Sequence, residues 1–225
     1  IVLSNLKLVA IGTWAANLAM LNFSYAADTI THNTVQNCVF EGNQQASGIR
    51  LTQANKVLII GCKMHGVPAF GVKTVTKATD LQIIGCNFAQ WYFNETGFDV
   101  EANRTAKLVD ISTADFMLAD TVAFYGLAPL YLSGGFNNGQ VTGCHFYNGA
   151  LATATTNTLA AYIAATNIIF SNNYVDNGCL QIDVTGADTG ITCTGNWFTK
   201  TGAGTNTYAI EVVNSGASAS LAGYM

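Results

Sequence analysis

Hydrophobic and polar positions alternate with period two in short runs along this chain, and the runs recur. The recurring phrase reads apolar, x, small residue or Asn, Cys or a similar residue, x, large apolar. It stands at Val35–Phe40 (VQNCVF), Ile59–Met64 (IIGCKM), Ile83–Phe88 (IIGCNF), Ile111–Phe116 (ISTADF), Val141–Phe146 (VTGCHF), Ile169–Tyr174 (IFSNNY) and Cys193–Phe198 (CTGNWF), with a weaker copy at Leu3–Leu8 (LSNLKL). Its fourth position falls on Leu6, Cys38, Cys62, Cys86, Ala114, Cys144, Asn172 and Asn196, at intervals of 24 to 32 residues. A second alternating segment precedes most copies: SGIRL, FGVKT, GFDVE, PLYLS, AYIA, CLQIDV and YAIEVV. Period two, short length and the absence of a 3.6-residue period predict strands rather than helices.

A recurring unit of this length predicts a solenoid, because one unit cannot bury its own inward face and a stack of them can. Each unit reads as strand, turn, strand, one-residue bend, strand, then a loop. The bend falls on Gly61, Gly85, Gly143, Gly195 or Asn37, residue types that accept a left-handed backbone. The pattern is similar to that of the right-handed single-stranded parallel β-helices of the pectate-lyase-like kind. The expectation is therefore an all-β solenoid of about eight coils, three short strands per coil, on the order of 35–40 Å long. It covers residues 1–225 as one domain, read as a fragment of a longer protein because the chain opens on a strand-like pattern at Ile1. Cys38, Cys62, Cys86 and Cys144 read as an inward ladder beside the bend. Side chains projecting in parallel are badly placed for disulfides, and no C-x-x-C pair suggests a metal, so buried free thiols are expected and no cofactor or metal is assigned.

Composition narrows the function. The chain of 225 residues is 50% hydrophobic and only 10% charged, with a formal net charge of −4 and nine Lys plus Arg. That excludes the basic surface a nucleic-acid partner requires. No apolar run approaches the length of a membrane span.

Chemistry on a solenoid must lie on outward side chains and loops. Alternation in the second segment sends Arg50, Lys73, Asp99, Tyr131, Tyr162, Gln181 and Glu211 outward in one column. A neighbouring column holds Thr52, Thr74, Glu101, Ser133, Asp183 and Val213, and the run AQWYFNETG adds Trp91 and Tyr92. Aromatic rings with carboxylates and amides suit a sugar chain, so Arg50, Lys73, Trp91, Tyr92, Tyr131, Gln181, Asp183 and Glu211 are the expected substrate-binding residues. Asp99 and Glu101, two residues apart, would have Cα atoms roughly 6.5–7 Å apart. That permits the wide carboxyl separation of an inverting glycosidase. The same residues also read as plain surface ion pairs, Asp99 with Lys73 and Glu101 with Arg104, worth little. A lyase would instead draw on Arg50, Lys73 and Tyr131, but no residue-by-residue match to the calcium cluster of pectate lyases is present. His65 and His145 have no partner identifiable from the sequence. Ile60, Ile84 and Phe170 read as an outward apolar line on the middle strand, a face for a partner to cover.

Few charges, Asn/Gly/Thr-rich turns, low-charge loops such as NGALATATTNTLA and this apolar line resemble the shaft of bacteriophage tailspikes. The resemblance implies a receptor-binding protein on the virion tail, a homotrimer, and a bacterial surface polysaccharide (capsule or O-antigen) as its ligand, bound or also cleaved, by hydrolysis rather than elimination. Two other readings compete with it: a secreted cellular polysaccharide lyase or hydrolase, and a non-catalytic shaft or adhesin.

Overall fold

The chain winds into a parallel β-helix of three eight-stranded sheets in a computed structural model. The structure describes all residues except 13–17, 26–31, 44, 68, 77, 90–92, 95–96, 99–106, 113, 120, 126–128, 134–137, 148–158, 177, 185–189, 200–207 and 214–225. Sheet A comprises Val2–Ser4, Asn33–Gln36, Asn55–Ile60, Ala78–Ile84, Ala114–Ala119, Gly139–Thr142, Ile168–Ser171 and Thr192–Thr194. Sheet B comprises Lys7–Val9, Val39–Glu41, Lys63–His65, Asn87–Ala89, Ala123–Tyr125, His145–Tyr147, Tyr174–Asp176 and Trp197–Thr199. Sheet C comprises Ala19–Ser24, Ser47–Thr52, Phe70–Thr74, Lys107–Ser112, Leu130–Ser133, Leu159–Ala164, Cys179–Asp183 and Ile210–Val213. Each coil contributes one strand to each sheet, as the repeat predicts.

The bend between sheets A and B sets the coil. It falls on Asn5, Asn37, Gly61, Gly85, Thr121, Gly143, Asn172 and Gly195, all with φ between 52° and 66°. The residue after it points inward and closes the corner. Cys62 Sγ donates to the Ile60 carbonyl at 3.5 Å and Cys86 Sγ to that of Ile84 at 3.4 Å, while the Cys62 amide donates to Cys86 Sγ at 3.4 Å. Further along, asparagine takes the slot. Asn173 Oδ1 accepts from the Cys144 amide at 2.9 Å, its Nδ2 donates to the Val141 carbonyl at 3.0 Å, and Asn196 Nδ2 donates to the Phe170 carbonyl at 2.8 Å. A thiol or a carboxamide here satisfies backbone groups that the turn removes from the ladder. All six cysteines are free, and Cys38, Cys62, Cys86, Cys144 and Cys179 are buried. Burial pushes the Cys144 thiol up to about 12 and that of Cys179 to about 11.

Inward columns fill the interior. Sheet B stacks Phe40, Met64, Phe88, Phe124 and Phe146, all buried. Phe88 and Phe124 lie 5.5 Å apart with planes 14° from parallel, and Phe124 and Phe146 lie 4.8 Å apart at 11°. Such pairs add about 0.5–1.5 kcal/mol each beyond their burial.

Four expectations need correction. The fourth coil does not use ISTADF as its bend phrase: Lys107–Ser112 belongs to sheet C and Ala114–Ala119 to sheet A. Its bend is Thr121 and its inward slot Val122, so the phrase there is LADTVAF, lengthened by one residue, and Ala114 is not a ladder position. In the sixth copy the bend is Asn172 and the slot is Asn173, one residue later than expected, because Thr142 pairs with Ser171 and His145 with Tyr174. Phe170 points inward and is fully buried beside Val141, so the outward apolar line is Ile60 and Ile84, continued by Ala119 rather than by Phe170. Thr74 also points inward, in register with Leu51.

Two outcomes follow. Thr121 is β-branched and exposed at φ 59°, so Thr121→Gly, which removes the Cβ clash, raises the unfolding free energy by about 1 kcal/mol. Denaturant titration measures it. With a thiol-specific chromophoric reagent at neutral pH, the native protein reacts first at half-buried Cys193, and the five buried thiols react only on unfolding.

Candidate functional site

The outer face of sheet C carries one continuous column. Strand registers place Asn22, Arg50, Lys73, Asp110, Tyr131, Tyr162, Gln181 and Glu211 over one another. From Arg50 to Glu211 this is six strand steps, about 29 Å at the usual spacing. The place between Lys73 and Tyr131, expected for Asp99, belongs to Asp110. GFDVE and KLVDIS both alternate, but only KLVDIS is one residue away from the next sheet A strand, and Gly97–Phe98 instead pairs antiparallel with Phe93–Asn94.

Neighbours in the column bond to each other. Lys73 Nζ lies 3.0 Å from Asp110 Oδ2, with the carboxylate side chain 12% exposed, and 5.9 Å from the centre of the Phe70 ring. Tyr131 and Tyr162 stack at 4.6 Å with planes 13° apart, so each gives one ring face to the other. The Tyr162 hydroxyl donates to Asp183 Oδ2 at 2.8 Å, and Gln181 Nε2 donates to Glu211 Oε2 at 3.2 Å. Asp183 is buried, and the other residues from Arg50 to Glu211, apart from Asp110, are half-buried. Arg50 forms no ion pair among the described residues. The column thus runs from a cation through a neutralised pair and two stacked phenols to an amide and a carboxylate, with the Asp183 carboxylate beside Tyr162. Burial, and then the Asp183 carboxylate that accepts its hydrogen bond, raise the Tyr162 phenol well above the ordinary tyrosine range.

Of the expected site residues, Arg50, Lys73, Tyr131, Gln181, Asp183 and Glu211 lie together on this face. Trp91, Tyr92, Asp99 and Glu101 lie outside the described residues. The chain that holds them leaves sheet B at Ala89 and enters sheet C at Lys107, in the coil of Asp110. Among the described residues no three His, Cys, Asp or Glu side chains group so as to hold a metal ion.

No family model and no curated protein matches the chain. A solved structure similar to it is HetL, a pentapeptide repeat protein involved in heterocyst differentiation regulation from the cyanobacterium Nostoc sp. strain PCC 7120. That likeness covers 88% of this chain and 86% of HetL at 14% identity, with a TM-score of 0.26. A score that low carries no argument; the β-helix rests on the strand registers.

A second polar and aromatic group went unrecognised in the sequence. On the outer face of sheet B, Tyr125 and Tyr147 stack at 4.9 Å, and His145 Nδ1 lies 2.9 Å from the Tyr147 hydroxyl. Thr199 Oγ1 sits 3.2 Å from the Tyr174 hydroxyl and donates to Asp176 Oδ1 at 3.1 Å, and Trp197 is 68% exposed. Burial, then Tyr125, Tyr174 and Asp176, raise the Tyr147 phenol. The signal was there: the position after the inward slot is outward, and it reads His145, Tyr174, Trp197. His65 ends its strand 3.8 Å from Glu41 Oε1, and burial lowers its pKa in spite of that carboxylate.

Protonated Tyr162 contributes stability in full below the pKa of a free tyrosine, about 10, and loses it as pH rises through the higher folded value. Asp183→Asn removes the negative acceptor and moves the Tyr162 ionisation down toward 10. The difference in phenolate absorbance between each protein and its Tyr162→Phe counterpart checks it.

Proposed function

We propose that this chain is the β-helical part of a phage tailspike or related receptor-binding protein, and that it holds a bacterial surface polysaccharide along the outer face of sheet C. The observation that carries the reading is the single column from Arg50 to Glu211, long enough for several sugar units and mixed in chemistry. Phenol hydroxyls, an amide and carboxylates each exchange hydrogen bonds with sugar hydroxyls, and the ring edges of Tyr131 and Tyr162 supply apolar contact. Arg50 offers a fork of donors to an acidic sugar. Cleavage falls to Asp99 and Glu101 as an inverting acid and base. Homotrimeric association belongs to the same proposal.

A specific observation favours a second reading, a non-catalytic shaft or adhesin. Lys73 with Asp110, Tyr162 with Asp183 and Gln181 with Glu211 satisfy one another between coils, as residues that merely fasten a solenoid would.

One set of variants separates the two. Against a panel of capsules and O-antigens, Tyr131→Ala/Tyr162→Ala weakens binding at least tenfold, about 1.4 kcal/mol. Asp99→Asn/Glu101→Gln keeps binding and abolishes reducing-sugar release without any unsaturated product in the parent protein. Binding unchanged in the tyrosine variant sinks the sheet C assignment, and sugar release unchanged in the acidic variant sinks the catalytic one.

A further inference from the structure

A groove of about 380 Å³ opens on sheet A, away from the sheet C column, and is lined by Asp80, Leu81, Gln82, Phe116, Met117, Asn138, Gly139, Gln140, Asn167 and Ile169. Two irregularities of sheet A lie at this groove. The register between Ala78–Ile84 and Ala114–Ala119 shifts between Ala78 and Leu81. In the next coil the inward column reaches Gly139, and the Phe116 ring occupies the space beside it: a Cβ on Gly139 would lie 2.2 Å from Phe116 Cε1. The inward column here runs Leu81, Phe116, Gly139 and Ile168, with the Phe116 ring filling the place of a side chain at Gly139, and all but Ile168 line the groove.

The outward side chains at this groove are of two kinds. Gln82, Met117, Gln140 and Ile169 form one column across four coils, with Met117 half-buried, Gln140 exposed and Ile169 42% exposed. Asp80, Asn138 and Asn167 border it at the bend from sheet C, where Asp80 and Asn167 hold φ of 53° and 56°. Two hydrogen bonds fix the polar rim: Gln82 Nε2 donates to Asp80 Oδ1 at 3.1 Å, and Asn167 Nδ2 donates to Asn138 Oδ1 at 3.0 Å. Gln82 keeps its Oε1 and a second N–H, and Gln140 makes no side-chain hydrogen bond among the described residues. Amide donors and acceptors alternating in one column with the apolar side chains of Met117 and Ile169 complement a hydroxylated ring with apolar faces.

We propose that this groove is a saccharide site distinct from the sheet C column, and that it selects uncharged sugar residues. Selectivity follows from charge: Asp80 is the one acidic side chain in the lining, and no Lys or Arg is present to balance a uronate, sialate or sulfate. An anionic sugar would bring its charge to a carboxylate in a site without a cation, whereas a neutral one has only hydroxyls to satisfy. Met117 and Ile169 supply the apolar side chains against which the ring's apolar face packs. The site draws on four successive coils and does not rest on the sheet C column.

The experiment uses the whole chain with isotope-labelled Met and Ile methyl groups, titrated with maltohexaose, manno- and galacto-oligosaccharides, and with oligogalacturonate as the anionic contrast. The expected result is a saturable shift of the Met117 and Ile169 methyls with at least one uncharged oligosaccharide and none with the uronate. Gln140→Ala, at an exposed position that leaves the core untouched, weakens that binding at least tenfold, and Tyr131→Ala/Tyr162→Ala leaves it within twofold. The proposal is overturned by no methyl shift with any uncharged sugar, by an equal response to the uronate, or by shifts that follow protein concentration in the absence of sugar, which would make the groove a contact between copies of the chain. Loss of groove binding in the Tyr131/Tyr162 variant also overturns it, since the groove would then not be a separate site. Failure of the sheet C reading with the methyl response intact leaves the groove standing.

Discussion

Parallel pairing between successive coils, at about 4.8 Å from strand to strand, requires equivalent residues to lie over one another. In this chain that requirement is met three times per coil, and every other property follows from it. A coil has no core of its own, so its inward residues are buried only because the coils before and after present the same column. The Phe88, Phe124 and Phe146 stack and the thiol and carboxamide ladder are both solutions to that condition. A side chain in an inward column must suit its neighbours above and below before it suits anything else.

The same constraint writes the surface. Outward residues also stand in columns, so a charge or ring is always one step from the equivalent position in the next coil. Lys73 meets Asp110, Tyr131 meets Tyr162 and Gln181 meets Glu211 for this reason. Stacking hides ring faces and turns phenol hydroxyls outward, so such a surface addresses a ligand through edges and hydroxyl groups more than through open aromatic faces. A ligand that repeats along its own length is the natural match for a surface that does.

The fold was legible because its signal is repeated. The left-handed bends at Asn37, Gly61, Gly85, Gly143 and Gly195 stand where the phrase puts them, and three strands per coil follow. The fourth coil misled because two segments with the same alternation, GFDVE and KLVDIS, compete for one sheet position, and because Thr121 stands where neighbouring coils use Gly or Asn. Period two cannot decide between two equally alternating runs; the spacing to the next bend does. Phe170 was read outward because a one-residue error in placing Asn172 reverses every side chain of its strand. Most of the sheet C column could be assembled by alternation alone. The sheet A groove could not: it lies where a glycine stands beside a phenylalanine of the preceding coil and where the register shifts, neither of which has a periodic signature. Trp91, Tyr92, Asp99 and Glu101 lie on a connection whose length departs from the repeat, where periodicity has nothing to say.

Residues that follow the bend in consecutive coils are interchangeable as junctions. Cys62 and Cys86 occupy the same slot one coil apart, each bonded to the carbonyl two residues before it. Removing residues 63–86 would join Cys62 to Asn87 and delete one strand from each sheet: Lys63–His65, Phe70–Thr74 and Ala78–Ile84. The remaining strands would meet with their alternation unbroken, so the molecule is divisible at this point in the manner of a stack of plates. On the outer face of sheet C the excision would remove Lys73 and set Arg50 directly over Asp110. One cation would replace another, and the shortened stripe would keep its order of charge.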